Sequence, residues 1–264
     1  MTKFISTTPT INTPALELTR LSKTLGRFTV HIENLSIPGG VFYALLGPNG
    51  AGKTTTLRMI SGLLQPDTGD AKIFGFNMTT HPTRAKQNLA YLPDEPQLYD
   101  QLTALEHLEF VAGLWGIKPE QAVLDAQRLL DQLGLWHRRA DFCGSFSRGM
   151  KQKLTLAAAL LHRPRLMILD EPLTGLDVHA ARLVKDLLLE FVRDGGSIIL
   201  TTHILEVAEQ LAERIGVISG GRIIADGTLE SLRELTGEHG TLESVFLELT
   251  RDQTVNRDVD EKIA

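Results

Sequence analysis

The sequence predicts an α/β fold built on a mostly parallel sheet. Short, wholly apolar runs alternate with amphipathic stretches at helical spacing, the rhythm of strands covered on both faces by helices. Two of these runs, Leu166–Leu169 and Ser197–Leu200, end directly in polar residues. A third, Phe42–Leu46, runs into a glycine-rich turn and then a helix.

The elements follow in order. After the strand at Phe42–Leu46 and its turn, a helix extends to about Leu64, where Pro66, Asp67 and Gly69 end it. Thr103 with Glu106 spells a capping box that opens a helix through about Trp115. Pro119 to Leu133 is a further helical stretch. These helices interrupt the strand rhythm, so residues 94–146 read as an inserted helical lobe. A helix from about Gly149 to His162 stops before Pro164. Leu166–Leu169 is a buried strand. The helix from Val178 to about Arg193 ends at Gly195 and Gly196. After the strand Ser197–Leu200, Gly216–Ile218 and Arg222–Ala225 flank Ser219-Gly220-Gly221 as a hairpin. Two short helices and a charged tail, residues 251–264, complete the chain.

Composition narrows the function. A chain of 264 residues can bury a large single core. Its net charge of −5 gives no bulk attraction for nucleic acid or anionic membrane. Cys143 is the single cysteine, which excludes an intrachain disulfide. No apolar run approaches the ~20 residues that span a bilayer. Residues 1–14 are Thr-rich without a basic-then-apolar pattern, and read as a tail rather than a secretory signal.

Gly47-Pro48-Asn49-Gly50-Ala51-Gly52-Lys53-Thr54 fits G-x-x-x-x-G-K-[ST]. Its glycines let the backbone curl until N–H groups point at phosphate oxygens, and the following helix adds the positive end of its dipole. Lys53 would bridge the β- and γ-phosphates, and the Thr54 hydroxyl would ligate Mg²⁺, with Thr55 following in the same helical turn. Nucleotide binding is the expectation.

Leu166–Leu169 ends in Asp170-Glu171, two carboxylates at the strand end where α/β sheets bind ligands. Asp170 could hold Mg²⁺ through water, and Glu171 could polarise an attacking water. Either alone is also an ordinary polar strand end. His203, just past Ile198–Thr202, could reach a γ-phosphate or the lytic water, or be a satisfied structural histidine.

The order Gly47–Thr54, Ser147-Arg148-Gly149-Met150-Lys151-Gln152, Asp170-Glu171, Leu176-Asp177 and His203 resembles the nucleotide-binding domain of ABC transporters, over about residues 15–250. The resemblance implies a P-loop NTPase fold: an ABC-type RecA-like core with a mostly parallel sheet, an antiparallel β part and the helical lobe. It implies ATP and Mg²⁺ as ligands, Lys53, Glu171 and His203 as catalytic residues, and Thr54, Asp170 and Asp94 around the metal. It further implies a head-to-tail dimer, with a copy or a paralogue, in which each ATP lies between one subunit's phosphate loop and the other's Ser147, Gly149 and Asp177. Ser147 and Asp177 also read as plain helix N-caps. A separate integral membrane permease is the implied partner, which would hold the chain at the inner face of the cell membrane.

Three departures from the family pattern stand out. Arg148 and Met150 replace a glycine and a glutamine of the signature segment. Asp94 stands where a glutamine is usual. The usual adenine-stacking aromatic falls near Leu25, with Phe28 as the available substitute. A narrower resemblance, on Tyr91–Pro96, Phe146–Gln152 and Glu243–Leu247, is to stand-alone subunits of bacterial, mostly export-type ABC transporters. The competing reading is a non-transport ABC ATPase acting on ribosomes or nucleic acid. Such chains usually carry tandem units, coiled-coil inserts or metal-binding cysteines, none of which is evident here. A P-loop kinase or GTPase leaves the Ser147 segment and His203 without a purpose.

Overall fold

A computed structural model of the chain describes residues 13–260. In chain order its elements are β1 (Leu16–Leu25), β2 (Phe28–Ile37), β3 (Phe42–Leu46), α1 (Lys53–Ile60), β4 (Thr68–Ile73), β5 (Phe76–Asn77), α2 (Pro82–Gln87), β6 (Leu89–Leu92), α3 (Ala104–Leu114), α4 (Pro119–Gln132), α5 (Arg148–Leu161), β7 (Leu166–Asp170), α6 (Val178–Arg193), β8 (Ser197–Thr201), α7 (Leu205–Leu211), β9 (Arg214–Ser219), β10 (Arg222–Gly227), α8 (Leu229–Thr236) and α9 (Leu242–Asp260).

Two sheets form. One has the order β10-β9-β3-β8-β7-β6, and the other β2-β1-β4-β5. In the first, β9, β3, β8, β7 and β6 pair in parallel and β10 joins antiparallel. The fully buried strands explain themselves by their two-residue period. Leu166 and Ile168 of β7 point into the apolar layer shared with the second sheet, and Met167 and Leu169 into the layer shared with the helices. A strand covered on both faces is apolar along its middle, as Leu166–Leu169 of β7 and Ile198–Leu200 of β8 are, with polar residues only at the ends.

The second sheet is antiparallel, with β1 and β2 paired from Leu16–Ile37 to Leu25–Phe28. Leu16, Leu18, Leu21, Val30 and Ile32 pack inward against Met59 and Ile60 of α1 and against the parallel sheet. Polar residues interleave with them because the other face is wet.

In the helical region the Thr103–Glu106 capping box is present in both directions, at 2.8 and 3.2 Å. Ala104, Leu108 and Ala112 of α3, Ala126, Leu129 and Leu130 of α4 and Leu154 of α5 share one apolar cluster with β6 and β7. α5 therefore belongs to the packing of this lobe as well as to that of the sheet. Two elements differ from expectation. α1 stops at Ile60, before Gly62 at φ 69°, rather than near Leu64. α9 is not short: it continues to Asp260, so most of the charged C-terminal stretch prolongs a helix. Residues 1–12 of the expected N-terminal tail and residues 261–264 lie outside the described residues.

Candidate active site

Parallel pairing puts the C-terminal ends of β3, β8, β7 and β6 side by side. The phosphate loop after β3, His203 after β8, Asp170-Glu171 at the end of β7 and Asp94 after β6 thus reach one edge, although they span 47–203 in sequence.

The loop is shaped by steric need. A Cβ on Gly47 would lie 2.3 Å from the Ile218 carbonyl oxygen of β9. Gly52 sits at φ 106°, and its missing Cβ leaves room for Val30 and the Phe28 ring. Together these let the loop curl tightly before α1. A cleft of about 580 Å³ opens over it, reaching from Asn49 through Thr55 to Asp94, Asp170 and Glu171. Lys53 Nζ donates to the carbonyl oxygens of Gly47 at 2.6 Å and Pro48 at 3.1 Å. Burial lowers the Lys53 pKa, an effect that Glu171 and then Asp170 oppose.

Asp170 is buried and held by hydroxyls on both oxygens: Thr54 donates to Oδ2 at 3.0 Å, and Thr201 of β8 to Oδ1. Glu171 is a non-glycine residue in the left-handed region, at φ 52°, which costs about 1 kcal/mol or more. Its N–H donates to the Thr201 carbonyl at 3.1 Å, which fixes that conformation. Its Oε2 meets His203 Nδ1 at 2.9 Å and the Thr174 hydroxyl at 3.5 Å. A strained backbone at a carboxylate that touches a histidine is the signature of an aimed group.

Other expected residues lie elsewhere in this chain. Ser147 caps α5 by accepting from Met150 N–H at 3.3 Å, and Asp177 caps α6 by accepting from Ala180 N–H at 2.8 Å. Neither they nor Gly149 line the cleft. Leu25 and Phe28 pair at the tip of the β1–β2 hairpin, and Phe28 is the one that lines the cleft. Sequence reasoning missed Thr201 and Thr174. The only available sign of Thr201 was a hydroxyl at the end of an apolar run, beside His203.

The family described as ABC transporter matches residues 30–174, more than half of the chain. The chain belongs to the ABC transporter family. Among its relatives, the daunorubicin/doxorubicin resistance ATP-binding protein DrrA of Streptomyces peucetius is 38% identical over 228 residues, which cover 86% of this chain and 69% of that one. The linearmycin resistance ATP-binding protein LnrL of Bacillus subtilis (strain 168) is 37% identical over 218 residues, covering 82% and 70%. A solved ATP-binding subunit of an ABC transporter superposes with a TM-score of 0.83 at 35% identity, over 89% of this chain and 99% of that one.

This ABC chain is accordingly an ATP-binding, ATP-hydrolysing subunit of a transporter. Its donor set also suits Mg²⁺. Thr54 and Asp170 offer hard oxygens 3.0 Å apart beside the phosphate loop. Among the described residues no group of three or more His, Cys, Asp or Glu gathers as a metal cage. None of the helices among the described residues is long and apolar enough to cross a membrane.

Proposed function

We propose that this subunit hydrolyses ATP with Glu171 as the base, inside a dimer that drives an export permease. The contact between Glu171 and His203, beside the phosphate loop, carries the reading. Backbone N–H groups of Gly50, Ala51 and Gly52 and the start of α1 cradle the phosphates, and Lys53 leaves its carbonyl partners for the β- and γ-phosphates. Thr54 and Asp170 would hold Mg²⁺, with Asp94 also lining the cleft, and the ion would screen charge on the transferring phosphoryl group. Glu171 takes the proton from the attacking water while His203 keeps the carboxylate oriented. Phe28, rather than Leu25, offers its ring to the base.

Ser147, Gly149 and Asp177 complete the site of a second subunit. Their exclusion from this chain's own cleft supports that role, as does the start of α5 as an anion site. The relatives are named for resistance to daunorubicin/doxorubicin and to linearmycin, which supports export over import. A membrane permease receives the motion through the segment after β6. Leu98, Tyr99 and Leu102 are the candidate contacts; Tyr99 is exposed and Leu98 packs against the core, so Tyr99 is the one to test first. The acidic balance supports a chain that does not act on nucleic acid.

The test is to extract tagged Glu171→Gln protein from membranes in mild detergent with ATP and Mg²⁺. A stoichiometric, multi-spanning membrane protein is the expected companion. Ribosomes or nucleic acid without one would overturn the reading.

A further inference from the structure

Two of the positions where this chain departs from its family pattern touch each other. Arg148 Nη2 donates to Asp94 Oδ1 at 2.8 Å, with the two side chains 50% and 49% exposed. Asp94 also lines the phosphate cleft. Arg148 is the first residue of α5, and Lys151 lies in the same turn, which carries no acid of its own. Two cations at the positive end of a helix dipole are unfavourable alone. Asp94 and Asp100 supply the missing negative charge, the second through Lys151 at 2.9 Å. The Arg148 stem is held from the other side by the turn after β7: a Cβ on Gly175 would meet its Cδ at 3.0 Å.

The charge balance of the cleft gives this pair a purpose. Asp94, Asp170 and Glu171 line it together with one cation, Lys53. A nucleoside triphosphate adds further negative charge, even with its cation. Asp170 is engaged by Thr54 and Thr201, and Glu171 by His203 and Thr174. Asp94 is engaged by a guanidinium, whose opposite charge offsets its own. A glutamine at 94 would need no such partner, and a glycine at 148 could not provide one.

We propose that Arg148 is a charge-compensating, positioning residue of the nucleotide site. It acts through Asp94, allowing a carboxylate to stand where phosphates bind. The proposal rests on the reading that this cleft takes ATP. It separates from that reading experimentally, because binding by the unaltered chain tests the site while the coupling of two variants tests the pair.

The experiment is titration calorimetry of the full chain with a non-hydrolysable ATP analogue and Mg²⁺, at low and high salt. Arg148→Ala leaves a bare carboxylate and weakens binding about three- to tenfold at low salt. Arg148→Lys keeps most of the affinity. In the Asp94→Asn background, adding Arg148→Ala costs nothing further, so the double variant Asp94→Asn/Arg148→Ala binds as Asp94→Asn alone does. The loss in Arg148→Ala shrinks as salt rises, because an exposed charge is screened beyond roughly 10 Å at 0.1 M. A chain that misfolds without Arg148 would lose binding in the Asp94→Asn background as well. Additive losses, or a loss in Arg148→Ala that ignores salt, would overturn the proposal.

Discussion

Nδ1 of His203 lies 2.9 Å from Oε2 of Glu171, joining the segments that follow two neighbouring parallel strands, with Glu171 lining the phosphate cleft. Glu171 reaches this contact from a left-handed backbone held by the Thr201 carbonyl, while Thr201 also binds Asp170 through its hydroxyl. One threonine thus sets the geometry of both carboxylates.

Glu171→Gln keeps the shape but removes the base. Turnover should fall by about 10²-fold or more, with ATP affinity retained. His203→Ala should also slow turnover, and the double variant should be little worse than Glu171→Gln, since the two act as a unit. Phosphate release and nucleotide binding measured on the same preparations decide this. Near-normal turnover in Glu171→Gln would remove it from the role of base.

Tyr99 offers a test of the permease contact. It is 55% exposed and meets Phe110 edge-on at 5.1 Å, so a charge can be placed there without opening the core. Tyr99→Asp should retain ATP affinity and lose the membrane companion in a pull-down. Undiminished recovery of that companion would exclude the contact.

His162 gives the fold a pH dependence. Its ring stacks on Trp115 at 3.9 Å and 7°, and Nε2 lies 3.1 Å from the Leu89 carbonyl oxygen. That oxygen only accepts, so the neutral ring carries its proton on Nε2, and Nδ1 has no partner. Burial lowers the pKa to about 4, with the Leu89 bond opposing. The unfolded chain, with a histidine near 6.5, binds more protons between about 4 and 6.5. Stability therefore rises with pH across that window, and up to about 3 kcal/mol is lost on going below it. Urea denaturation at pH 5 and pH 7 should show a slope in the unaltered chain that His162→Gln reduces. Equal slopes would mean the ring titrates normally.

The parallel sheet and the phosphate loop were legible because their residues obey local rules. Strands covered on both faces are continuous apolar runs, and a loop that wraps phosphate needs glycine at fixed steps. β1 and β2 were not read as strands, although Leu16-Glu17-Leu18-Thr19 alternates as a strand with one wet face does. The full length of α9 escaped because its charged end carries no apolar period. The Arg148–Asp94 pair could not be read at all: each was visible as a departure, but their contact depends on how α5 meets the end of β6.

Gly216 shows how the same packing supports the chemistry. It sits in β9 opposite Leu45 of β3 and Asp226 of β10. The fully buried Tyr43 ring fills the space above it, with the hydroxyl donating to Asp226 Oδ1 at 3.0 Å and Arg214 binding the other oxygen at 2.8 Å. Burial first, then Asp226, raise the Tyr43 pKa well above its ordinary value, so the ring stays a neutral donor. A Cβ on Gly216 would fall 1.9 Å from that hydroxyl and 2.8 Å from Cζ. Gly216→Ala should therefore cost about 2–4 kcal/mol in urea denaturation. Tyr43→Phe/Gly216→Ala should lose less than the sum of the single changes, because removing the hydroxyl relieves the nearer overlap. Two residues along β9, the Ile218 carbonyl abuts Gly47 of the phosphate loop, so a displaced β9 presses on that loop. ATP affinity of Gly216→Ala should fall together with stability. A cost below about 1 kcal/mol would show that β9 yields freely, and the phosphate loop would then not depend on it for its shape.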